Sequence, residues 1–497
     1  MEGAAQGLPK AAPMPTTAQL DRLRALVGAQ GVLTDPAERL SYSYDATAMM
    51  KSTPGAVVIP SSSEQVAQVI AFANSEGIPI VTRGSGTGLS GGSVPLENAV
   101  VLSTLKLNRI LEIDEENLTA TAEPGVITAN LHQAVEALGL FYPPDPGSMK
   151  VCTLGGNVAE NAGGLRGLKY GVTRDYVMGL EVVLPNGETM WTGGKCPKDV
   201  AGYDLRQILV GSEGTLGVFT KILVKLVPKP QAKKTLLAVF PSMETAAATV
   251  AAIIAAKIIP ATLEFLDQTT LRCVEDFAHI GLPTDAGAIL LMESDGHPAA
   301  ATEQAETMLN LAKANGATQV QMAADEEEAL RLSSARRMAF PALARMRPTT
   351  VLEDVSVPRS RLVEMVSKVR QIAERENLMI GTFGHAGDGN LHPTILMDER
   401  DADEVKRMHR GFDAIVEAAL ELGGALTGEH GVGLLKRDFL ERYFPSAALE
   451  MMRNFRRSMD PNGIMNPGKM FHRSPRREGE LPRSAQHGQQ ILERLTP

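Results

Sequence analysis

Short apolar runs and segments with helical spacing alternate along the chain from residue 55 onward. Residues 57–59 and 78–81 are apolar runs that predict two β-strands. The segment between them carries apolar residues at helical spacing, namely Val66, Val69, Ile70 and Ala73. Ser61 and Glu64 have the spacing of a capping box at the start of this helix, and Gly77 ends it. The pattern predicts a βαβ unit that opens into a glycine-rich loop.

The second half of the chain shows a mixed pattern of strands and helices. Pro228 and Pro230 mark the best boundary in the middle of the sequence. After this boundary, helical segments alternate with apolar runs typical of strands, at 236–240, 288–292, 351–357 and 378–383. The most apolar run, 246–259, predicts a buried helix that ends at Pro260. We expect a mixed α+β domain here.

Size and composition narrow the possible classes of protein. A chain of 497 residues exceeds what a single core supports, and its net charge of -9 argues against nucleic acid as the main partner. Its three cysteines form no CxxC pair, and an iron–sulfur cluster normally needs four thiolates. The N-terminus lacks the pattern of a signal peptide, and no apolar stretch reaches the ~18 residues of a spanning helix. We expect neither secretion nor an integral membrane segment.

The loop at 82–92, TRGSGTGLSGG, is the first candidate for binding chemistry. Gly86, Gly88 and Gly91 have the G-x-G-x-x-G spacing after a strand. A Rossmann site also needs a helix that begins inside the motif, but here SVPLEN and the strand at 100–102 follow. We therefore reject NAD on a Rossmann fold. A cradle of backbone N–H groups for phosphate is favoured over a plain surface turn.

Two further glycine-rich segments follow the first loop. They are 145–164, which contains DPGS, TLGGN and NAGG, and 211–217, GSEGTLG. Glycine lets the backbone approach a flat ligand closely. Three such segments predict one large cofactor that lies across the fold.

The segments GHAGDGNLHP and TGEHGVG carry the second set of chemical groups. His385, His392 and Glu429 are two imidazoles and a carboxylate, which suit a three-ligand metal site with an open position. His430 is an adjacent candidate base. The intervening glycines favour a turn between two strands over a helix for residues 385–392. A plain ion pair is the alternative for Glu429.

Arg336 is the candidate for holding a carboxylate of the substrate. A guanidinium can bind a carboxylate through two parallel hydrogen bonds. Arg337 stands beside it, so the alternative is that both are surface charges. The segment 332–335, LSSA, contains no aromatic residue that would define the neighbouring wall.

Several of these segments, in this order, resemble FAD-linked oxidases of the vanillyl-alcohol oxidase/PCMH type. They are TRGSGTGLSGG, PPDPGS, TLGGNVAENAGG, LKYGVTRDYV, GSEGTLGV and NPGK. GHAGDGNLHP and TGEHGVG are similar to the subgroup that acts on D-2-hydroxy acids. This subgroup includes D-lactate dehydrogenase, D-2-hydroxyglutarate dehydrogenase and the glycolate oxidase FAD-binding catalytic subunit, the last being the most similar in its motifs. The resemblance runs over residues 17–471.

The resemblance implies an α+β fold. We expect a PCMH-type FAD-binding domain at 17–230 and a mixed α+β substrate (cap) domain with the metal site at 231–455. A C-terminal helical segment, 456–472, is expected to return to the FAD domain. Residues 1–16 are rich in Ala, Pro and Gly, and residues 473–497 are polar and contain prolines, so both ends are expected to be disordered.

The resemblance also implies a role for individual residues. The expected FAD-binding residues are Arg83, Gly84, Ser85, Gly86, Thr87, Gly88, Leu89, Ser90, Asp145, Pro146, Gly147, Ser148, Thr153, Gly155, Gly156, Asn157, Gly163, Gly164, Glu213, Gly217, Val218 and Asn466. The expected metal ligands are His385, His392 and Glu429, with His430 as the catalytic base and Arg336 as the substrate clamp. The first loop has no histidine, so FAD should be bound non-covalently. The metal should be divalent, with zinc favoured.

The expected function is oxidation of a small D-2-hydroxy acid, glycolate or D-lactate, to the 2-oxo acid. Hydride would pass to FAD N5, and His430 would remove the hydroxyl proton with the help of the metal. The alternatives are a D-2-hydroxyglutarate dehydrogenase, a non-catalytic FAD-binding subunit and an NADPH-dependent FAD reductase. The clustered histidines and glutamate count against the last two.

The resemblance further implies partners and a location. A second flavoprotein subunit and an iron–sulfur subunit are the expected electron acceptor. The expected location is the cytoplasm, with attachment to the periphery of the inner membrane through these partners as the alternative.

Overall fold

Four β-sheets and their covering helices make up residues 11–471, which are the part of the chain that this computed structural model describes. The strands are β1 (Val32–Leu33), β2 (Ala56–Val58), β3 (Ile80–Arg83), β4 (Val100–Ser103), β5 (Ile110–Asp114), β6 (Thr119–Ala122), β7 (Leu140–Phe141), β8 (Val177–Val183), β9 (Thr189–Gly193), β10 (Val218–Lys225), β11 (Val227–Pro228), β12 (Ala232–Phe240), β13 (Thr262–Asp267), β14 (Ala288–Gly296), β15 (Gln319–Met322), β16 (Thr349–Leu352), β17 (Val355–Ser356), β18 (Met379–His385) and β19 (Asn390–Met397).

The described residues also form fifteen α-helices. They are α1 (Thr17–Val27), α2 (Pro36–Leu40), α3 (Ser63–Glu76), α4 (Thr128–Glu136), α5 (Leu154–Glu160), α6 (Gly167–Tyr170), α7 (Leu205–Leu209), α8 (Met243–Ala255), α9 (Gln268–Ala278), α10 (Pro298–Ala314), α11 (Glu326–Met346), α12 (Leu362–Glu376), α13 (Ala402–Glu421), α14 (Leu440–Tyr443) and α15 (Ser446–Met459).

The first sheet has the strand order β1-β2-β4-β3 and contains the predicted βαβ unit. Helix α3 joins β2 to β3, and both strands run parallel to β4, which lies between them. The predicted cap is wrong by one residue. Ser62 caps the helix and accepts a hydrogen bond from the backbone N–H of Gln65, whose side chain accepts from Ser61. Gly77 ends the helix in the left-handed conformation, as its place in the sequence predicts.

The second sheet is antiparallel, with the order β5-β6-β10-β8-β9. Helices α4 and α5 bury apolar residues against it, including Leu131, Val135, Leu154 and Val158. Strand β7 pairs with β11 outside this sheet. Thr153, directly before α5, lies against Gly84 at the end of β3, so the glycine-rich segment that precedes α5 lies close to the first sheet.

The third large sheet follows the order β15-β12-β14-β13-β18-β19-β16, with β17 paired to β19, and all of its pairs are antiparallel. Helices α8, α10, α12 and α13 cover one face, and α9 and α11 cover the other. The predicted strands of the second half all lie in this sheet. The predicted turn is also confirmed, because β18 ends at His385, a short turn follows, and β19 begins at Asn390.

The chain returns to the first sheet after α15. The backbone N–H of Asn466 donates to the carbonyl of Ile80 at 2.8 Å, and Lys469 Nζ donates to the carbonyl of Val94 at 2.6 Å. Segment 456–471 is thus anchored beside β3. The division of the chain into domains at residue 230 stays a prediction.

The N-terminal end differs from its prediction over residues 11–16. Ala12 is buried, and its N–H donates to the carbonyl of Glu97 at 2.8 Å, while Thr16 caps α1. These backbone contacts outweigh the Ala- and Pro-rich composition that suggested disorder. Residues 1–10 and 472–497, to which the remaining predictions of disorder apply, lie outside the described residues. Within 11–471 no helix has the length and apolar character needed to cross a bilayer.

Candidate active site

A cavity of about 770 Å³ lies between the glycine-rich loops of the first half and the third sheet. Its wall includes residues 82–89, 146–148, 151–153, 155–157, 213–214 and 217 from the first half. The second half contributes Arg336, His385, His392, Glu429 and His430. Asn466 completes the wall from the C-terminal segment. All three glycine-rich segments and the predicted metal and catalytic residues therefore face one space.

The first glycine loop presents free backbone donors to this cavity. Among the described residues, no acceptor takes a hydrogen bond from the backbone N–H groups of Ser85, Gly86, Thr87, Gly88 or Leu89. Successive N–H groups of this kind form a nest that binds phosphate oxygens. The loop therefore fits the pyrophosphate of FAD.

Arg83 supports the wall of the cavity, and its part in FAD binding stays a prediction. Its guanidinium donates to the carbonyls of Tyr44 at 2.6 Å and Ser41 at 3.4 Å. Arg83 is buried, lines the cavity and fastens residues 41–46 to its wall. A contact between this guanidinium and phosphate would compete with those two carbonyls.

Five of the expected FAD-binding residues do not line the cavity, and their part in FAD binding stays a prediction. They are Ser90, Asp145, Gly163, Gly164 and Val218. Val218 packs in the core against the first sheet, and Asp145 is held by Arg337 and Arg166. A side chain on Gly163 would collide with Glu429, so this glycine lets two parts of the wall approach closely.

His385, His392 and Glu429 form the candidate metal centre. Glu429 Oε1 lies 3.1 Å from His385 Nε2 and 3.2 Å from His392 Nε2, and both histidines are buried. The three atoms lie within 4.8 Å of one another. Nitrogen and oxygen atoms that converge in this way fit a divalent ion such as Zn²⁺. The second ring nitrogen of His385 is 2.8 Å from Glu264 Oε1, an arrangement common behind metal-binding histidines.

Neighbouring charges shift the pKa values of His385 and Glu429 in the direction opposite to burial. Burial lowers the pKa of His385, but the carboxylates of Glu264 and Glu429 outweigh burial and raise it to about 10. Burial raises the pKa of Glu429, but the two histidines lower it well below its usual range. Burial lowers the pKa of His392 to about 4. A cation at Glu429 would compete with the proton of His385. The affinity of the site for the metal should therefore decrease as the pH is lowered.

Asp354 holds the loop that carries Glu429 and His430. Its Oδ2 accepts hydrogen bonds from the backbone N–H groups of Gly428, Glu429 and His430 at 2.8, 3.0 and 3.0 Å. The His430 ring stacks on His392 with a centroid distance of 5.1 Å, and its Nε2 is 3.7 Å from Glu429 Oε1. The loop therefore directs the candidate base and the candidate ligand to the same point.

Arg336 is buried, so the alternative that Arg336 and Arg337 are surface charges is wrong. The guanidinium of Arg336 lies over the ring of Phe383, and its Nε donates to Glu264 at 2.6 Å. Nε is its one nitrogen with an acceptor in the described part of the chain, so both terminal nitrogens are available to a ligand. Arg337 is already committed, since it binds both oxygens of Asp145 at 3.1 and 2.7 Å.

Sequence reasoning missed several residues of the cavity wall. Glu160 lines it, and its buried Oε2 has no hydrogen-bond partner among the described residues. Burial, and then the carboxylates of Glu213 and Asp45, raise the pKa of Glu160 well above its usual range. Phe340 and Phe383 supply the apolar side near Arg336. Phe340 lies one helical turn after Arg336, so helical spacing could have indicated it.

Comparisons with known proteins agree with this geometry. Residues 54–193 match the family model described as FAD binding domain, and 229–470 match that of FAD linked oxidases, C-terminal domain. p-Cresol methylhydroxylase superimposes with a TM-score of 0.78 at 20% identity, over 94% of this chain and 99% of that one. The fold is therefore the PCMH-type FAD-binding fold, and its class is that of FAD-dependent oxidoreductases.

Two sequence relatives show which FAD-dependent oxidoreductases this chain is similar to. Glycolate oxidase subunit GlcD of Bacillus subtilis is 55% identical over 89% of this chain and 94% of its own length. D-lactate dehydrogenase of Archaeoglobus fulgidus is 38% identical over 87% of this chain and 96% of its own length. The chain belongs to the FAD-linked oxidase family. The predictions of the family, the fold class and FAD as cofactor are confirmed.

Gly147→Val is expected to abolish FAD retention. A side chain at this position would meet no protein atom within 4 Å, so it would project into the cavity without disturbing the fold. Gly194→Val is the matched control, because position 194 is equally open but lies away from the cavity. The flavin-to-protein ratio after gel filtration measures the effect. Equal ratios in the two variants would contradict this placement of the cofactor.

Proposed function

We propose that this protein oxidises a small 2-hydroxy monocarboxylic acid, glycolate or D-lactate, to the 2-oxo acid. The observation that carries the proposal is the position of Arg336, His430 and the three candidate metal ligands on the wall of the cofactor cavity. Arg336 offers a guanidinium to a carboxylate, while His430 offers a base near the hydroxyl. The names of the two relatives above support the same substrate class.

Each group of residues has its own role in the proposed reaction. The terminal nitrogens of Arg336 bind and orient the substrate carboxylate. His430 accepts the proton of the 2-hydroxyl group. His385, His392 and Glu429 hold a divalent cation, and Phe340 and Phe383 exclude water from the neighbouring wall. When bound, the cation supplies Lewis acidity toward the hydroxyl group, and FAD supplies the capacity to accept two electrons.

The charges of the described cavity wall favour a monocarboxylate over a dicarboxylate. Its Arg and Lys residues are Arg83, Arg336 and Arg337. Arg83 is paired with backbone carbonyls and Arg337 with Asp145, so Arg336 is the one available cationic side chain of this wall. A second carboxylate, as in D-2-hydroxyglutarate, would be buried without a partner. The cost of such burial disfavours D-2-hydroxyglutarate as the substrate.

Electrons leave this protein, in our proposal, through a partner. The GlcD relatives of Bacillus subtilis and Escherichia coli are each named as a subunit. Cys152 and Cys273 are buried and Cys196 is exposed, and all three are free thiols. The chain alone thus supplies too few thiolates for a cluster. We propose a second flavoprotein subunit and an iron–sulfur subunit as the acceptor, assembled on a cytoplasmic protein.

A substrate panel with an artificial electron acceptor tests the proposal. Turnover is measured with glycolate, D-lactate, L-lactate and D-2-hydroxyglutarate. We expect D-2-hydroxyglutarate to have a kcat/KM about 10- to 100-fold below that of the best monocarboxylate, since a buried unpaired carboxylate costs ~1–3 kcal/mol. A preference for the dicarboxylate would contradict the argument that Arg336 is the single available cationic side chain, and inactivity with all four acids would contradict the substrate class.

A further inference from the structure

Glu264 lies between Arg336, the candidate substrate-binding residue, and His385, a candidate metal ligand. Its side chain is about 1% exposed, and each of its oxygens has a different partner. Oε2 accepts a hydrogen bond from Arg336 Nε at 2.6 Å, and Oε1 lies 2.8 Å from His385 Nδ1. One buried carboxylate therefore joins the residue that would hold the substrate to a residue that would hold the metal.

The fold explains why these three residues meet. Glu264 on β13 is directly opposite His385 on β18 in the antiparallel pair. Directly opposite residues have side chains on the same face of a sheet, and α11 covers that face. Arg336 belongs to α11 and reaches the carboxylate from above the sheet. Contacts that span 72 and 121 positions of the sequence thus converge on Glu264.

Each contact fixes the orientation of a group that faces the cavity. The bond to Nδ1 turns Nε2 of His385 toward Glu429, and such partners of ligand histidines set ring orientation and basicity. The bond to Nε holds the planar guanidinium so that its terminal nitrogens are free. Removal of one partner from a buried charged network leaves the others without compensation.

We infer that Glu264 is a positioning residue that couples metal affinity at His385 to substrate binding at Arg336. This inference rests on the proposed function and adds a residue to it. A substitution of Arg336 therefore changes the metal affinity through Glu264. A substitution of His385 changes the substrate affinity through the same carboxylate. Binding couplings of this kind are reciprocal.

Glu264→Gln tests the inference, with Glu293→Gln as the matched control. Glu293 is a buried glutamate on the adjacent strand β14, bonded to Thr235, Thr262, Ser333 and Lys233 but to neither Arg336 nor His385. We expect the Kd for Zn²⁺, measured by titration of the metal-free holoflavoprotein, to rise about 10- to 100-fold in Glu264→Gln only. KM should rise in the same variant, while FAD content stays at the wild-type value.

A double-mutant cycle separates coupling from a general packing defect. Zn²⁺ affinity is measured without substrate for Arg336→Gln, for Glu264→Gln and for both together. We expect Arg336→Gln to change the Zn²⁺ affinity in the wild-type background and to have no further effect beside Glu264→Gln. Additive effects would overturn the coupling.

Two outcomes distinguish this inference from the proposed function. If the wild type binds Zn²⁺ and Glu264→Gln binds it with the same Kd, the role of Glu264 is overturned. The proposed function is not affected by that result. A wild-type protein that binds no Zn²⁺ would refute the metal site, and the coupling would fall with it.

Discussion

His430→Ala should retain FAD and metal but reduce its flavin about 10²- to 10⁴-fold more slowly, which is the usual contribution of a positioned base. His430 stacks on His392 and lies beside Glu429, so its imidazole faces the point where the substrate hydroxyl is expected. Its truncation removes the proton acceptor and leaves the three ligand atoms in place. Stopped-flow measurement of anaerobic flavin reduction at saturating substrate gives the rate of this step.

The pH dependence of His430→Ala provides a second test. A rise in pH should recover part of the lost rate, because solvent hydroxide then replaces the missing base. His409→Ala, at an exposed position of α13, is the control and should match the wild type. A wild-type rate of flavin reduction in His430→Ala would show that His430 is not the base.

His392→Gln should lose the bound metal and with it most of the rate of flavin reduction. His392 is about 2% exposed and contributes one of the three converging ligand atoms. A catalytic metal supplies several kcal/mol of transition-state stabilisation, and each ~1.4 kcal/mol is a tenfold change in rate. We therefore expect a loss of about a hundredfold or more. Elemental analysis should fall from about one divalent ion per chain, as expected for one three-ligand site, to none.

The control for this variant is His409→Gln, which changes a histidine of the same half of the chain that lies away from the cavity. It should keep both metal and activity. Retention of one ion and of normal activity by His392→Gln would exclude His392 as a ligand.

Local sequence patterns predicted the parts of the site that depend on neighbouring residues. The glycines between His385 and His392 indicated a strand–turn–strand arrangement, which the structure contains. Apolar spacing located α3, although Gln65 at the third helical position made Ser62 the cap in place of Ser61. Such features follow from backbone conformation over a few residues.

Residues that act through distant partners could not be predicted in this way. Glu264 is 121 positions from His385, and Asp145 is 192 positions from Arg337. A lone glutamate in an apolar strand carries no signal of its partner, since sheet order and the packing of α11 decide which groups meet. The same limit applies to Arg83, whose carbonyl partners belong to a segment 39 and 42 positions earlier.

Anaerobic reduction of the bound flavin by glycolate or D-lactate, with and without the metal, tests the central claim most directly. The protein is purified with FAD, stripped of metal by a chelator and reloaded with Zn²⁺. We expect the flavin absorbance of the reloaded protein to bleach on addition of one of these acids, while the metal-free protein stays oxidised. Equal bleaching in both samples, or none with either acid after reloading, would contradict the account.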